Sequence, residues 1–116
     1  MTARAELAAA ITERGLQDYV VAAAQLLGWK VMHTRPAMAR SGRWSTPIQG
    51  DAGFPDLVLV RPPKLVVAEL KAQRGPVTAE QQAWLDALRS CGVAAYVWRP
   101  ADLPRIEALL QGGTWQ

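Results

Sequence analysis

Apolar positions change their spacing along this chain, and each change marks an element. After Thr12, Leu16, Tyr19, Val20, Ala23, Leu26 and Leu27 recur at helical intervals, the stripe of an amphipathic helix. The Thr12 hydroxyl suits the start of that helix and Gly28 its end. Ala3 to Ile11 is Ala-rich and either forms its own turn or extends the helix. Trp29 to Thr34 reads as a strand. Arg35 to Gly53 shows no period and contains Pro36, Gly42, Pro47, Gly50 and Gly53. A loop this long in a small domain is commonly functional or mobile.

Two nearly continuous apolar runs follow, Asp56 to Val60 and Leu65 to Lys71, separated by Arg61-Pro62-Pro63-Lys64. Pro-Pro cannot continue a central strand, so the chain turns there into a hairpin. Such apolar strands belong in the middle of a sheet. After a turn at Gly75-Pro76, Thr78 caps a helix from Ala79 to about Cys91, which Gly92 ends. Val93 to Trp98 is a fourth strand. Pro100-Ala101-Asp102 leads into a last helix, Leu103 to Leu110, and Gln111 to Gln116 is expected to fray. The order is helix, three strands, helix, strand, helix. This predicts a mixed α/β sheet with helices packed on it.

Charge interrupts the apolar pattern at three positions. A hairpin symmetric about Pro62-Pro63 sets Arg61 opposite Lys64, Val58 opposite Val67 and Asp56 opposite Glu69. Side chains alternate along a strand, so Asp56, Glu69 and Lys71 project from one face, with the two carboxylates about 5 Å apart. Opposed like charges destabilise a sheet unless something neutralises them. A divalent cation does so, and carboxylates suit Mg²⁺ or Mn²⁺. With Lys71 able to hold a phosphate or orient a water, the set fits metal-assisted phosphodiester hydrolysis.

The 116 residues suffice for a single core, and half are hydrophobic, which argues against disorder. The net charge of +3 comes mostly from arginine and mildly favours an acidic partner such as nucleic acid. One cysteine excludes an internal disulfide and fits a reducing cytoplasm; Cys91 reads as a buried structural thiol. No apolar run reaches membrane-spanning length, and the N-terminus lacks the pattern of a secretory signal. There is no repeat, zinc-ligand spacing or glycine-rich loop for a nucleotide cofactor.

Pro55-Asp56, twelve intervening residues and then Glu69-Leu70-Lys71 resemble the PD-(D/E)xK nuclease signature. The flanks narrow the resemblance to the VRR-NUC branch, in particular its small stand-alone phage and bacterial members, which are Holliday-junction-resolvase-like. These flanks are Leu27-Gly28-Trp29, Gly53-Phe54-Pro55-Asp56, Ala68-Glu69-Leu70-Lys71, Thr78-Ala79-Glu80-Gln81-Gln82 and Val97-Trp98-Arg99-Pro100. The resemblance covers roughly Thr12 to Leu110. It implies a restriction-endonuclease-like αβββαβ core in one nuclease domain over residues 1–116, with 1–11 an N-terminal extension and 111–116 a tail. It also implies a metal held by Asp56, Glu69 and the Leu70 carbonyl, with Lys71 orienting the water and Glu13 as a candidate further ligand. Gln17 and Gln81 fall at positions that support the family's active site.

Each of these residues also has a structural reading. Glu13 places favourable charge in a helix's first turn, and Gly15 beside it is a poor helix former. Thr78 and Gln81 form a T-x-x-Q capping box. His33, the only histidine, reads as structural. Arg35, Arg40, Arg43 and Trp44 in the long loop suit DNA contact, the arginines on the backbone and the indole on an unpaired base. Arg74 and Arg61 are weaker DNA candidates, while Trp84 reads as core or a subunit interface. The expected activity is a Mg²⁺- or Mn²⁺-dependent endonuclease leaving 5′-phosphate ends. The small relatives imply a homodimer acting on branched DNA such as four-way junctions or flaps, in phage or prophage replication, recombination or packaging. Two rivals remain, an inactive nuclease fold that binds or scaffolds DNA and a metal-dependent phosphoryl hydrolase with a small substrate.

Overall fold

A computed structural model describes residues 2–34, 37, 38, 44, 45 and 49–116. Two helices open the chain. Helix α1 (Ala3–Ala10) is separate from α2 (Glu13–Leu26), and the break at Ile11-Thr12 exists because each helix has its own cap. Thr2 Oγ1 accepts from Ala5 N at 3.1 Å, and Thr12 Oγ1 accepts from Gly15 N at 3.0 Å. A Cβ on Gly15 would stand 3.1 Å from that Thr12 hydroxyl, so the residue that weakens the helix leaves its cap uncrowded. Gly28 follows α2 at φ +88°, a conformation that favours glycine.

Strand β1 (Lys30–His33) is followed by two short strands, β2 (Ala37–Met38) and β3 (Trp44–Ser45), which pair with each other. The sequence reading missed this pair, since two-residue strands carry no readable period. The hairpin is β4 (Leu57–Arg61) and β5 (Lys64–Leu70). Its register is as expected, Arg61 with Lys64 and Val58 with Val67, and it stops at Leu57 opposite Ala68. Asp56 therefore lies just outside the ladder. Helix α3 (Ala79–Ser90), strand β6 (Ala94–Trp98), a 3₁₀ turn at Pro100–Asp102 and helix α4 (Leu103–Leu110) complete the chain.

The main sheet runs β1-β4-β5-β6, with the hairpin at its centre. Its first two pairings are antiparallel and the third is parallel, with α3 as the crossover between β5 and β6. The sequence α2-β1-β4-β5-α3-β6 is the expected αβββαβ order. Alternation along the strands gives the sheet two apolar faces. Leu57, Leu59, Val66, Ala68, Leu70 and Trp98 pack with Leu16, Val20 and Ala24 of α2 and with Ile106, Leu109 and Leu110 of α4. On the opposite face Val67 and Ala95 pack with Leu85 of α3.

Several details differ from the sequence reading. The buried stripe of α2 is narrower than expected: Tyr19 and Leu26 are exposed, and Leu16, Val20 and Ala24, each four residues from the next, form one ridge against the sheet. The Tyr19 hydroxyl instead donates to Glu107 Oε1 at 2.7 Å. Cys91 is exposed, not buried, because it caps the C-terminus of α3 where the helix leaves the sheet. The segment after α4 does not fray. Trp115 returns to the core and packs on Tyr96, with ring centroids 4.9 Å apart. Arg61 is held at the end of the hairpin away from Asp56. It donates to Leu27 O at 2.9 Å and lies over the Trp29 ring.

Candidate active site

Glu69 is the most unusual residue in the sheet. It is 1% exposed on β5, and a carboxylate that deep needs partners. Oε1 accepts from Gln81 Nε2 at 3.0 Å and lies 3.8 Å from Lys71 Nζ. Oε2 is buried with no hydrogen-bond partner among the described residues. Burial, followed by the charge of Asp56 and the proximity that would let the two carboxyls share a proton, pushes Glu69 up to about 8; Lys71 pulls the other way.

Asp56 leaves the ladder for a reason visible in its bonds. Its Oδ2 accepts the backbone N–H of Leu70 at 2.8 Å, so a side chain takes the place of a strand carbonyl. Its own carbonyl accepts from Thr34 N at 3.3 Å, continuing the β1–β4 register. Asp56 is thus held between the two neighbouring strands. Ahead of it, Gly53 adopts φ +102° and lies against α3, where a Cβ would come within 2.6 Å of the Glu80 carbonyl carbon. Only glycine permits that approach.

Lys71 continues β5 by donating its backbone N–H to Trp98 O at 3.0 Å, and the residue is 8% exposed. The turn after it is clamped by a residue the sequence reading gave no part in the site. Arg99 Nη1 donates to the carbonyls of Ala72 (2.9 Å), Gln73 (3.3 Å) and Gly75 (2.7 Å). Gly75 in turn packs close to the Lys71 stem, since a Cβ there would stand 3.6 Å from Lys71 Cδ. The family-like segment Val97-Trp98-Arg99-Pro100 was the only signal of this clamp. An arginine that gathers main-chain carbonyls has no partner residue to look for in the sequence.

Two helix starts converge on this end of the sheet. In α3, Thr78 and Gln81 form the expected capping box, with Gln81 Oε1 accepting from Thr78 N at 2.9 Å. The same amide's nitrogen donates to Glu69 Oε1, so one side chain both closes the capping box and contacts the buried carboxyl. In α2, partial burial and then the charge of Asp56 raise the Glu13 carboxyl, with Lys71 opposing. The Gln17 amide is engaged with β1 instead of with the carboxylates, its Nε2 lying 3.1 Å from His33 Nδ1. Arg74 is exposed on the clamped turn. Arg35, Arg40 and Arg43, together with the side chain of Trp44, lie outside the described residues.

Among the described residues, no three His, Cys, Asp or Glu side chains are gathered closely enough to hold a metal ion by themselves. The chemistry of the pair still fits a cation. Two carboxyls repel each other, one is buried with a bare oxygen, and hard oxygen donors suit Mg²⁺ or Mn²⁺. No helix among the described residues is long and apolar enough to cross a membrane.

Comparison with curated proteins gave no match, and neither did comparison with solved structures. A family description does match, that of the VRR-NUC domain, over residues 3–102. That span includes α1, the whole sheet and every residue of the site above. The chain therefore belongs to the VRR-NUC family of nucleases, and its mixed sheet with flanking helices is the family's restriction-endonuclease-like fold.

Proposed function

We propose that this chain is a metal-dependent endonuclease that hydrolyses phosphodiester bonds in DNA, with residues 1–116 acting as one nuclease domain. The observation that carries the reading is Glu69, a buried carboxyl with an unpartnered oxygen beside a second carboxyl and a lysine. Asp56, Glu69 and the Leu70 carbonyl would hold Mg²⁺ or Mn²⁺, and Glu13, whose carboxyl feels the charges of Asp56 and Lys71, is a candidate for a further oxygen once α2 closes on the ion. When bound, such an ion supplies a water of lowered pKa and neutralises charge on the scissile phosphate.

The chain's own residues do the rest. Lys71 offers N–H donors that orient the attacking water and balance charge on the phosphate. Gln81 fixes Glu69 Oε1 and leaves Oε2 for the ion. Arg99 holds the turn that confines the Lys71 stem. Gln17 and His33 brace the approach from α2 to β1. Arg74 on the exposed turn, with Arg35, Arg40, Arg43 and Trp44 of the long loop, would meet the DNA strand. Products would carry 5′-phosphate ends.

The finer assignment follows the small stand-alone relatives: a homodimer whose two sites cut branched DNA, four-way junctions or flaps, in the cytoplasm of a bacterial host. Labelled linear duplex, single strand, flap and four-way junction, each with Mg²⁺, Mn²⁺ or chelator, test it beside folded Glu69→Ala and Lys71→Ala proteins. Metal-dependent cutting lost in both variants supports the enzyme. Tight DNA binding without cutting in any metal rejects it in favour of a binding module.

A further inference from the structure

Phe54, the only phenylalanine in the chain, is 42% exposed two residues before Asp56. A large apolar ring left in water is informative when the structure has taken care to hold it there. Three contacts do so. The Phe54 ring meets Trp84 edge to face, with centroids 5.0 Å apart and planes at 80°. The Trp84 indole N–H is fixed by the carbonyls of Asp51 (3.2 Å) and Ala52 (3.1 Å). Gly53 locks the intervening chain against the Glu80 backbone. The ring is therefore mounted on α3 rather than on a free loop.

Its location ties it to the reacting centre. Two residues of chain span at most about 7 Å, so the Phe54 and Asp56 Cα atoms lie within that distance of each other. Trp84 lies three residues beyond Gln81, one helical turn from the amide that bonds Glu69. Beside Trp84 is an open cleft of about 430 Å³ lined by Asp51, Ala52, Glu80, Ala83, Trp84 and Ala87. Its floor is apolar. Asp51 and Glu80, the two acidic residues lining this cleft, repel phosphate but can accept hydrogen bonds from the amino group of a base.

We propose that Phe54, braced by Trp84, is a stacking platform for an unpaired base next to the scissile phosphate. The proposal rests on the nuclease reading for the position of that phosphate. The strand backbone passes on the side of Lys71 and Arg74, and its base turns towards the aromatic pair. A base inside a duplex has both faces covered by its neighbours, so the platform selects DNA with a melted, displaced or branched strand.

The test is equilibrium binding, read by fluorescence anisotropy in chelator so that it does not depend on cleavage. The probes are flap and junction oligonucleotides in which one abasic residue is walked through each unpaired position. They are titrated with the wild-type chain, Phe54→Leu and Phe54→Tyr. Expected is one position where removing the base weakens wild-type binding about 5- to 150-fold. Phe54→Leu loses that sensitivity, and Phe54→Tyr, which restores a ring, keeps it. No sensitive position in the wild-type chain, the same sensitivity in Phe54→Leu, or no DNA binding at all overturns the platform. The same oligonucleotides are then offered Mg²⁺ and Mn²⁺. Stacking without cutting keeps the platform and rejects the nuclease reading, whereas cutting without a sensitive position does the reverse.

Discussion

At the scale of single residues, the chemistry concentrates in Glu69, and its protonation couples the site to stability. In metal-free protein its folded pKa of about 8 lies above the ordinary carboxylate value of 4.5. A group raised on folding contributes stability that is present below the unfolded pKa and is lost as pH rises through the folded one. Metal-free protein should therefore weaken between about pH 4.5 and pH 8, by up to about 1.4 kcal/mol per pH unit. Glu69→Gln keeps the shape without the charge and should flatten that decline. Urea denaturation in chelator at pH 5, 7 and 9 checks both, and equal slopes in the two proteins would refute the assignment. Gln81 separates two roles within one side chain. Gln81→Glu retains the capping box, while Gln81→Ala loses the half of it that satisfies the Thr78 N–H and keeps the Thr78 cap itself. Both remove the N–H donor to Glu69, so cleavage should fall about 10- to 100-fold in each. Thermal melts at pH 5 and pH 9 tell them apart, because Gln81→Glu sets a carboxyl against Glu69 Oε1 and loses more stability at the higher pH, whereas the loss in Gln81→Ala does not depend on that repulsion.

At the scale of elements, the site is assembled where elements start and stop: β4 begins one residue after Asp56, β5 ends at Leu70, and two capped helices begin nearby. The hairpin was legible because Pro62-Pro63 punctuates it and the apolar runs fix its register. With that register, the face shared by Glu69 and Lys71 followed from the period of two. Their burial followed from the apolar neighbours. Contacts made by main-chain groups were not legible. Arg99 on Ala72, Gln73 and Gly75, and Trp84 on Asp51 and Ala52, bind carbonyls that every residue type presents. Gly53 could be read as a turn residue, but its contact with Glu80 depends on the placement of α3. That contact yields a prediction at this scale. Gly53→Ala combines a disfavoured φ with a Cβ 2.6 Å from the Glu80 backbone. It should cost at least about 2 kcal/mol of stability and shift Pro55-Asp56 away from the site. Thermal melts and cleavage rates should fall together; a variant that melts like the wild type but cuts poorly would locate the role of Gly53 in the DNA rather than in the fold.

At the scale of the whole molecule, the sheet brings two carboxyls together at a cost that a bound cation would remove, so cation binding, protonation and stability become one linked equilibrium. A cation binding only the folded chain stabilises it according to its concentration over its Kd, about 2.7 kcal/mol at a hundredfold excess. Binding through Glu69 must displace the proton that the metal-free carboxyl holds below about pH 8. Apparent affinity for Mn²⁺ or Mg²⁺ should therefore rise with pH, by as much as about tenfold per unit, and level off above pH 8. The thermal stabilisation given by a fixed Mn²⁺ concentration should follow the same curve, being small at pH 6 and large at pH 8. Calorimetric titration at four pH values reads the affinity directly and counts the protons released, approaching one per ion well below pH 8. Glu69→Gln should bind weakly at every pH and release none. A wild-type affinity that is flat across this range, with no proton release, would mean that the ion does not engage Glu69. The buried oxygen would then require a different occupant, and the metal-dependent mechanism would fail at its central residue.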